Sequence, residues 1–105
     1  MITTQAFRGS ATVTPPTKPK IYSVSLPTAN TEVAQLLSNG TKKLRIKALG
    51  NSRVQYAWNA TESGTGPFWT IPRGGVEPID GINYTGSIYL QASESGETVQ
   101  IEEWT

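Results

Sequence analysis

The residues of this chain that could do chemistry are carboxylates. Eight are present: Glu32, Glu62, Glu77, Asp80, Glu94, Glu97, Glu102 and Glu103. Glu77 and Asp80 share one short stretch and could approach the roughly 5 to 10 Å separation at which a carboxylate pair hydrolyses a glycosidic bond. With Asn83 they could also offer oxygens to Ca²⁺, but the spacing is not that of the EF-hand loop. Pairs like this arise readily by chance, and solvated loop carboxylates are the stronger reading. The chain has no His and no Cys. That removes Ser-His-Asp and Cys-His nucleophiles, disulfides and nearly every zinc or copper site. No phosphate-binding glycine motif occurs, so Gly64-Thr65-Gly66 and Gly74-Gly75 read as turns. The expectation is a protein that is not an enzyme and needs no cofactor or metal.

A second constellation is basic and lies in KLRIKALGNSRVQYAW, residues 43–58. Leu44, Ile46 and Ala48 alternate with Lys43, Arg45 and Lys47. After a Gly-Asn-Ser turn, Val54, Tyr56 and Trp58 alternate with Arg53, Gln55 and Ala57. Strand side chains point to opposite faces with period two, so the segment predicts a hairpin with one dry face and one wet, basic face. Lys43, Arg45 and Lys47, joined by Arg53, would form a stripe able to bind phosphates or an acidic protein surface, though an ordinary solvated face is the stronger reading. Nucleic acid is disfavoured as a partner. The net charge is only +1, and Tyr56 and Trp58 fall on the dry face instead of interleaving with the basic residues. Trp58 and Phe68 read as core. Trp69, Tyr89 and Trp104 alternate away from the apparent core positions, where aromatics serve a protein interface or stack on sugars.

The elements that must hold these residues are short strands. The chain has 105 residues, 36% of them hydrophobic, with 10 Gly and 7 Pro, which suits one domain of strands and tight turns. Residues 1–20 read as an extended N-terminal arm, with a terminus that stays disordered on its own as the stronger reading. Pro15, Pro16 and Pro19 forbid a helix there, and too few apolar groups are present to offset the entropy of ordering. From residue 21 the pattern predicts strands at IYSVSL, EVAQLL, KLRIKA, RVQYAW, PFWTIP, SIYLQA and TVQIEEW. EVAQLL should hairpin through Ser38-Asn39-Gly40-Thr41 into the basic strand. VEPIDGINYTG reads as an irregular crossing with a short bridge. The prediction is all-β: a compact antiparallel β-sandwich over residues 21–105, jelly-roll or immunoglobulin-like. No segment approaches the roughly 18 apolar residues of a membrane span, and the N-terminus lacks the apolar stretch of a secretory signal. The glycosylation triplets at Asn39, Asn59 and Asn83 are then chance occurrences.

Several pieces together resemble small structural proteins of tailed bacteriophages. They are Asn39-Gly40-Thr41-Lys42-Lys43-Leu44, Val54-Gln55-Tyr56-Ala57-Trp58, Ile88-Tyr89-Leu90-Gln91 and Ile101-Glu102-Glu103-Trp104. The resemblance covers roughly residues 25 to 105, and its motifs are structural, not catalytic. It implies a virion component, a head decoration (cement) protein or a head–tail accessory protein, assembled in the bacterial host cytoplasm. The implied partners are the major capsid protein or other virion proteins, with a homo-oligomer expected. On this reading Pro15, Pro16 and Pro19 belong to a strap across neighbouring subunits. Lys43, Arg45 and Lys47 make a polar contact stripe, and Trp69, Tyr89 and Trp104 anchor the interface. The competing expectation is a carbohydrate-binding or host-adhesion module in which Trp69, Tyr84 and Tyr89 stack on sugar rings.

Overall fold

Period-two alternation becomes eight strands. The computed structural model describes residues 18–105, and no helix occurs among them. The strands are β1 (Lys20–Leu26), β2 (Val33–Leu36), β3 (Lys43–Ala48), β4 (Val54–Ala57), β5 (Trp69–Ile71), β6 (Val76–Ile79), β7 (Ser87–Ala92) and β8 (Glu97–Trp104). They form two four-stranded sheets, β1-β8-β3-β6 and β2-β7-β4-β5, and every pairing is antiparallel. The chain changes sheet at every step except β4 to β5. This winding is that of a jelly roll, one of the two layouts the sequence allowed.

Two expected hairpins do not form. β3 and β4 lie in opposite sheets, as do β2 and β3. Alternation fixes which face of a strand is buried, not which strand lies beside it. Two apolar faces joined by a short turn can be buried side by side or across the core from one another, and here they face across it. The Ser38–Thr41 segment therefore passes between layers. Thr41 makes an isolated bridge to Tyr84, and the Lys42 amide donates to the Trp104 carbonyl at 2.7 Å. Arg53 is consequently parted from the Lys43, Arg45 and Lys47 stripe.

The core is the set of side chains that alternation points inward. Val24, Leu26, Leu44, Ile46, Ala48, Val99 and Ile101 come from one sheet. Val54, Tyr56, Ile71, Ile88, Leu90 and Ala92 face them from the other. Truncating a buried Leu or Ile here to Ala should cost about 2–5 kcal/mol. Phe68, expected in this core, is 40% exposed. It precedes edge strand β5, where no neighbouring strand covers it. β6, which contains Pro78, lies where the sequence suggested an irregular crossing with a short bridge. It is an edge strand, where proline is tolerated.

β8 ends inward on Glu103, which is 2% exposed. Its carboxylate accepts the Ser38 amide at 3.0 Å and the Tyr22 hydroxyl. One buried acid thus ties together β1, β8 and the β2–β3 connection. At the other end Glu97 occupies the space beside Gly50, where an added Cβ would lie 1.2 Å from Glu97 Oε1. Any larger residue at position 50 would force the Glu97 side chain to move.

Burial alone would raise the Glu103 pKa, but the bonds from Ser38 and Tyr22, with the Lys20 charge, outweigh it and hold the group below its ordinary 4.5. A depressed folded value contributes stability that is present above about pH 4.5 and lost as pH falls through the folded pKa. Tyr22→Phe, which strips the buried carboxylate of one donor, should cost about 1–3 kcal/mol at pH 7. The loss should shrink as pH falls through the lowered folded pKa of Glu103 and the carboxyl takes up its proton. Urea denaturation across an acid pH series checks this, and a loss that stays constant over the series would contradict it.

Candidate functional site

β5 and β6 are edge strands of opposite sheets, and a cleft opens between them. One side carries Tyr56 of β4, Trp58 just beyond it and Trp69 of β5. The other carries Glu77, Pro78 and Ile79 of β6, followed by Asp80 and Ile82. Its volume is about 330 Å³. Trp69 is paired directly with Tyr56, so both point toward the interlayer side. Tyr56 is buried under the opposing layer, whereas Trp69, at the sheet edge, remains 62% exposed.

The aromatic wall is fixed by ring contacts. Trp58 meets Tyr56 edge-on, with centroids 6.2 Å apart and planes at 89°. It meets Tyr84 at 4.9 Å and 65°. The Tyr56 hydroxyl crosses between the sheets and donates to Glu77 Oε2 at 2.8 Å. Burial first, and then the neighbouring Glu77 carboxylate, push the Tyr56 phenol well above its ordinary range, so it stays a donor. Asp80 pairs with Lys43 at 3.7 Å. Glu77 and Asp80, noted as a pair in the sequence, therefore do line one cleft, each with a partner of its own. Among the described residues no group of three or more His, Cys, Asp or Glu side chains could hold a metal ion.

The segment linking Trp58 to Trp69 is pinned from outside. Glu32 accepts the Thr61 amide at 2.7 Å, the Ser63 amide at 3.2 Å and the Ser63 hydroxyl. This lays the segment over the outer side of β4 and β7 and buries Gln55 and Gln91, which alternation alone assigns to water. Burial works against ionisation of Glu32, yet these bonds hold its pKa below the ordinary 4.5.

The expected interface residues are dispersed. Pro15 and Pro16 lie outside the described residues, and Pro19 stands just before β1. Lys43, Arg45 and Lys47 do share the outer face of β3. They are interleaved with acids, however: Arg45 pairs with Glu102 at 3.5 Å, and Lys43 with Asp80. Trp104 lies on that same face, with Lys43 Nζ 4.9 Å from its ring centroid. Tyr89 sits half-buried on the outer face of the other sheet, paired with Ala34 and Ala57. Trp69, expected to point away from the core, instead shares the interlayer face with Tyr56 and stands at the cleft, exposed because β5 is an edge. The three aromatics thus belong to three different surfaces. Sequence reasoning missed Tyr56, Trp58 and Ile82 as cleft residues. Tyr56 and Trp58 carried an alternation signal, but nothing in the sequence put them opposite β6.

No family model and no curated protein matches the chain. A solved structure is similar to it: the solution NMR structure of a de novo designed double-stranded beta-helix. It is 16% identical in sequence, with a TM-score of 0.51, and the match covers 85% of this chain and 100% of that one. At that identity the likeness shows the fold alone, and it agrees with the strand order above.

Glu32→Gln should loosen the segment that carries the cleft aromatics, costing about 1–2 kcal/mol. Hydrogen exchange should lose protection at the Thr61 and Ser63 amides first. Unchanged protection there would contradict the pinning role of Glu32.

Proposed function

We propose that this chain is a non-enzymatic structural component of a bacteriophage virion, decorating and stabilising the capsid through contacts with the major capsid protein or other virion proteins. The phage assignment rests on the resemblance over residues 25 to 105. One surface observation supports the assembly role. Each of the four edge strands carries one exposed large hydrophobic: Ile21 on β1, Leu36 on β2, Trp69 on β5 and Val76 on β6. Unpaired edges template association with another chain, and natural sheets blunt them where association is unwanted. Charged and proline guards are present in Lys20 and Pro78, yet Leu36 is left 69% exposed. An edge of this kind fits docking between neighbouring subunits.

The mechanism is static. A rigid jelly roll presents its edges, the mixed face around Arg45 and Trp104, and the N-terminal arm as a strap. Several weak contacts then add through multivalency in a symmetric particle. The protein acts in the virion, after assembly in the bacterial host cytoplasm, and as an oligomer.

Deleting residues 1–20 reaches into the first position of β1. It should abolish binding to particles while the circular dichroism spectrum stays that of the folded sheet. Undiminished binding would remove the strap from the mechanism. Leu36→Glu should change stability by no more than about 0.5 kcal/mol and weaken particle binding about tenfold or more. Full binding by that variant would remove the β2 edge from the interface.

A further inference from the structure

The cleft between β5 and β6 holds more polar chemistry than an assembly edge requires. We propose that it binds a neutral carbohydrate, with one pyranose ring stacked on Trp69 and ring hydroxyls donating to Glu77 and Asp80. It does not rest on the virion reading, although the two share Trp69 as an exposed edge residue.

The aromatic side comes first. Trp69 is 62% exposed at the mouth of the cleft, a large apolar surface that the fold leaves in water. It is held on a strand in register with Tyr56, not on a flexible tip. Behind it Trp58 is fixed by ring contacts to Tyr56 and Tyr84. A rigid aromatic wall loses little freedom when a ring is laid against it.

The polar side sets the ligand class. Both charged groups lining the cleft are carboxylates, and the one cation beside it, Lys43, stands outside the lining against Asp80, so the lining itself offers acceptors. Phosphates and acidic sugars are therefore disfavoured by repulsion. A cationic ligand is disfavoured too. Lys43 already stands 3.7 Å from Asp80, and the Tyr56 hydroxyl already bonds Glu77. Each carboxylate keeps lone pairs free after these contacts. What the cleft accepts best is an uncharged molecule with an apolar face and several O–H donors, which describes a neutral pyranose. About 330 Å³ is at the small end of ligand sites, enough for a short stretch of glycan with its ends in solvent.

The geometry also revises which aromatics take part. Tyr84 is committed elsewhere, its hydroxyl donating to the Ser87 carbonyl at 2.7 Å and its ring packed against Trp58. Tyr89 lies on the outer face of its sheet, away from the cleft. Of the three aromatics that the sequence offered for sugar stacking, only Trp69 is at the site.

The test titrates the full chain, free in solution, with four neutral linear probes: cellotetraose, maltotetraose, mannotetraose and chitotetraose. Tryptophan fluorescence is the readout. At least one probe should give a saturable shift with a Kd on the order of 1 mM or tighter. Trp69→Ala should weaken it about tenfold or more, and Asp80→Ala should weaken it several-fold, both with unchanged melting. No saturable shift with any of the four probes would overturn the proposal. So would a shift that survives Trp69→Ala unaltered. A response to an arginine-rich peptide but to no sugar, abolished by about 0.5 M salt, would make it a cation site instead. Because the titration uses no particles, its failure leaves the assembly role standing, and the failure of particle binding leaves the sugar site standing.

Discussion

Leu44 and Ile46 on β3, and Val99 and Ile101 on β8, are wholly withdrawn from water, and the rest of the molecule is arranged to keep them so. These two strands are the centre of one sheet. β4 and β7, carrying Val54, Ile88 and Leu90, close over them from the other. Because the chain deals successive strands to alternate layers, few core contacts are local in sequence. The apolar faces are covered only through the long-range pairing of β8 with both β1 and β3. Glu103 sits where those strands meet the β2–β3 connection, and its hydrogen bonds join segments far apart in the chain.

The alternation of this core was legible in the residues. Leu44-Ile46-Ala48, Val99-Ile101 and Ile88-Leu90-Ala92 each announce a strand and its buried face, and all are buried as read. Partner choice was not legible, because a period-two pattern carries no information about the neighbouring strand. That is why the segment 43–58 looked like a hairpin and is instead two strands in opposite layers. β6 was read as an irregular crossing in VEPIDGINYTG, and its Pro78 is tolerated because the strand is an edge. Gln55 and Gln91 looked exposed, and their burial depends on a Gly-rich segment held by Glu32 from far up the chain.

The candidate site was only half visible for the same reason. Glu77 and Asp80 stood out as neighbours, and Trp69 as an aromatic in the wrong place for a core. That they share a cleft follows from β5 and β6 being the terminal strands of facing sheets, a fact of topology rather than of composition. On the two proposals above, exposed apolar side chains on the four edge strands meet another protein chain, and the cleft enclosed by the β5 and β6 edges takes a small polar ligand.

Membership in a virion is tested most directly by quantitative mass spectrometry of purified particles from the source, with heads and tails separated. A capsid-decorating protein is recovered at high and fixed copy in the head fraction. Its absence from both heads and tails would contradict the structural role.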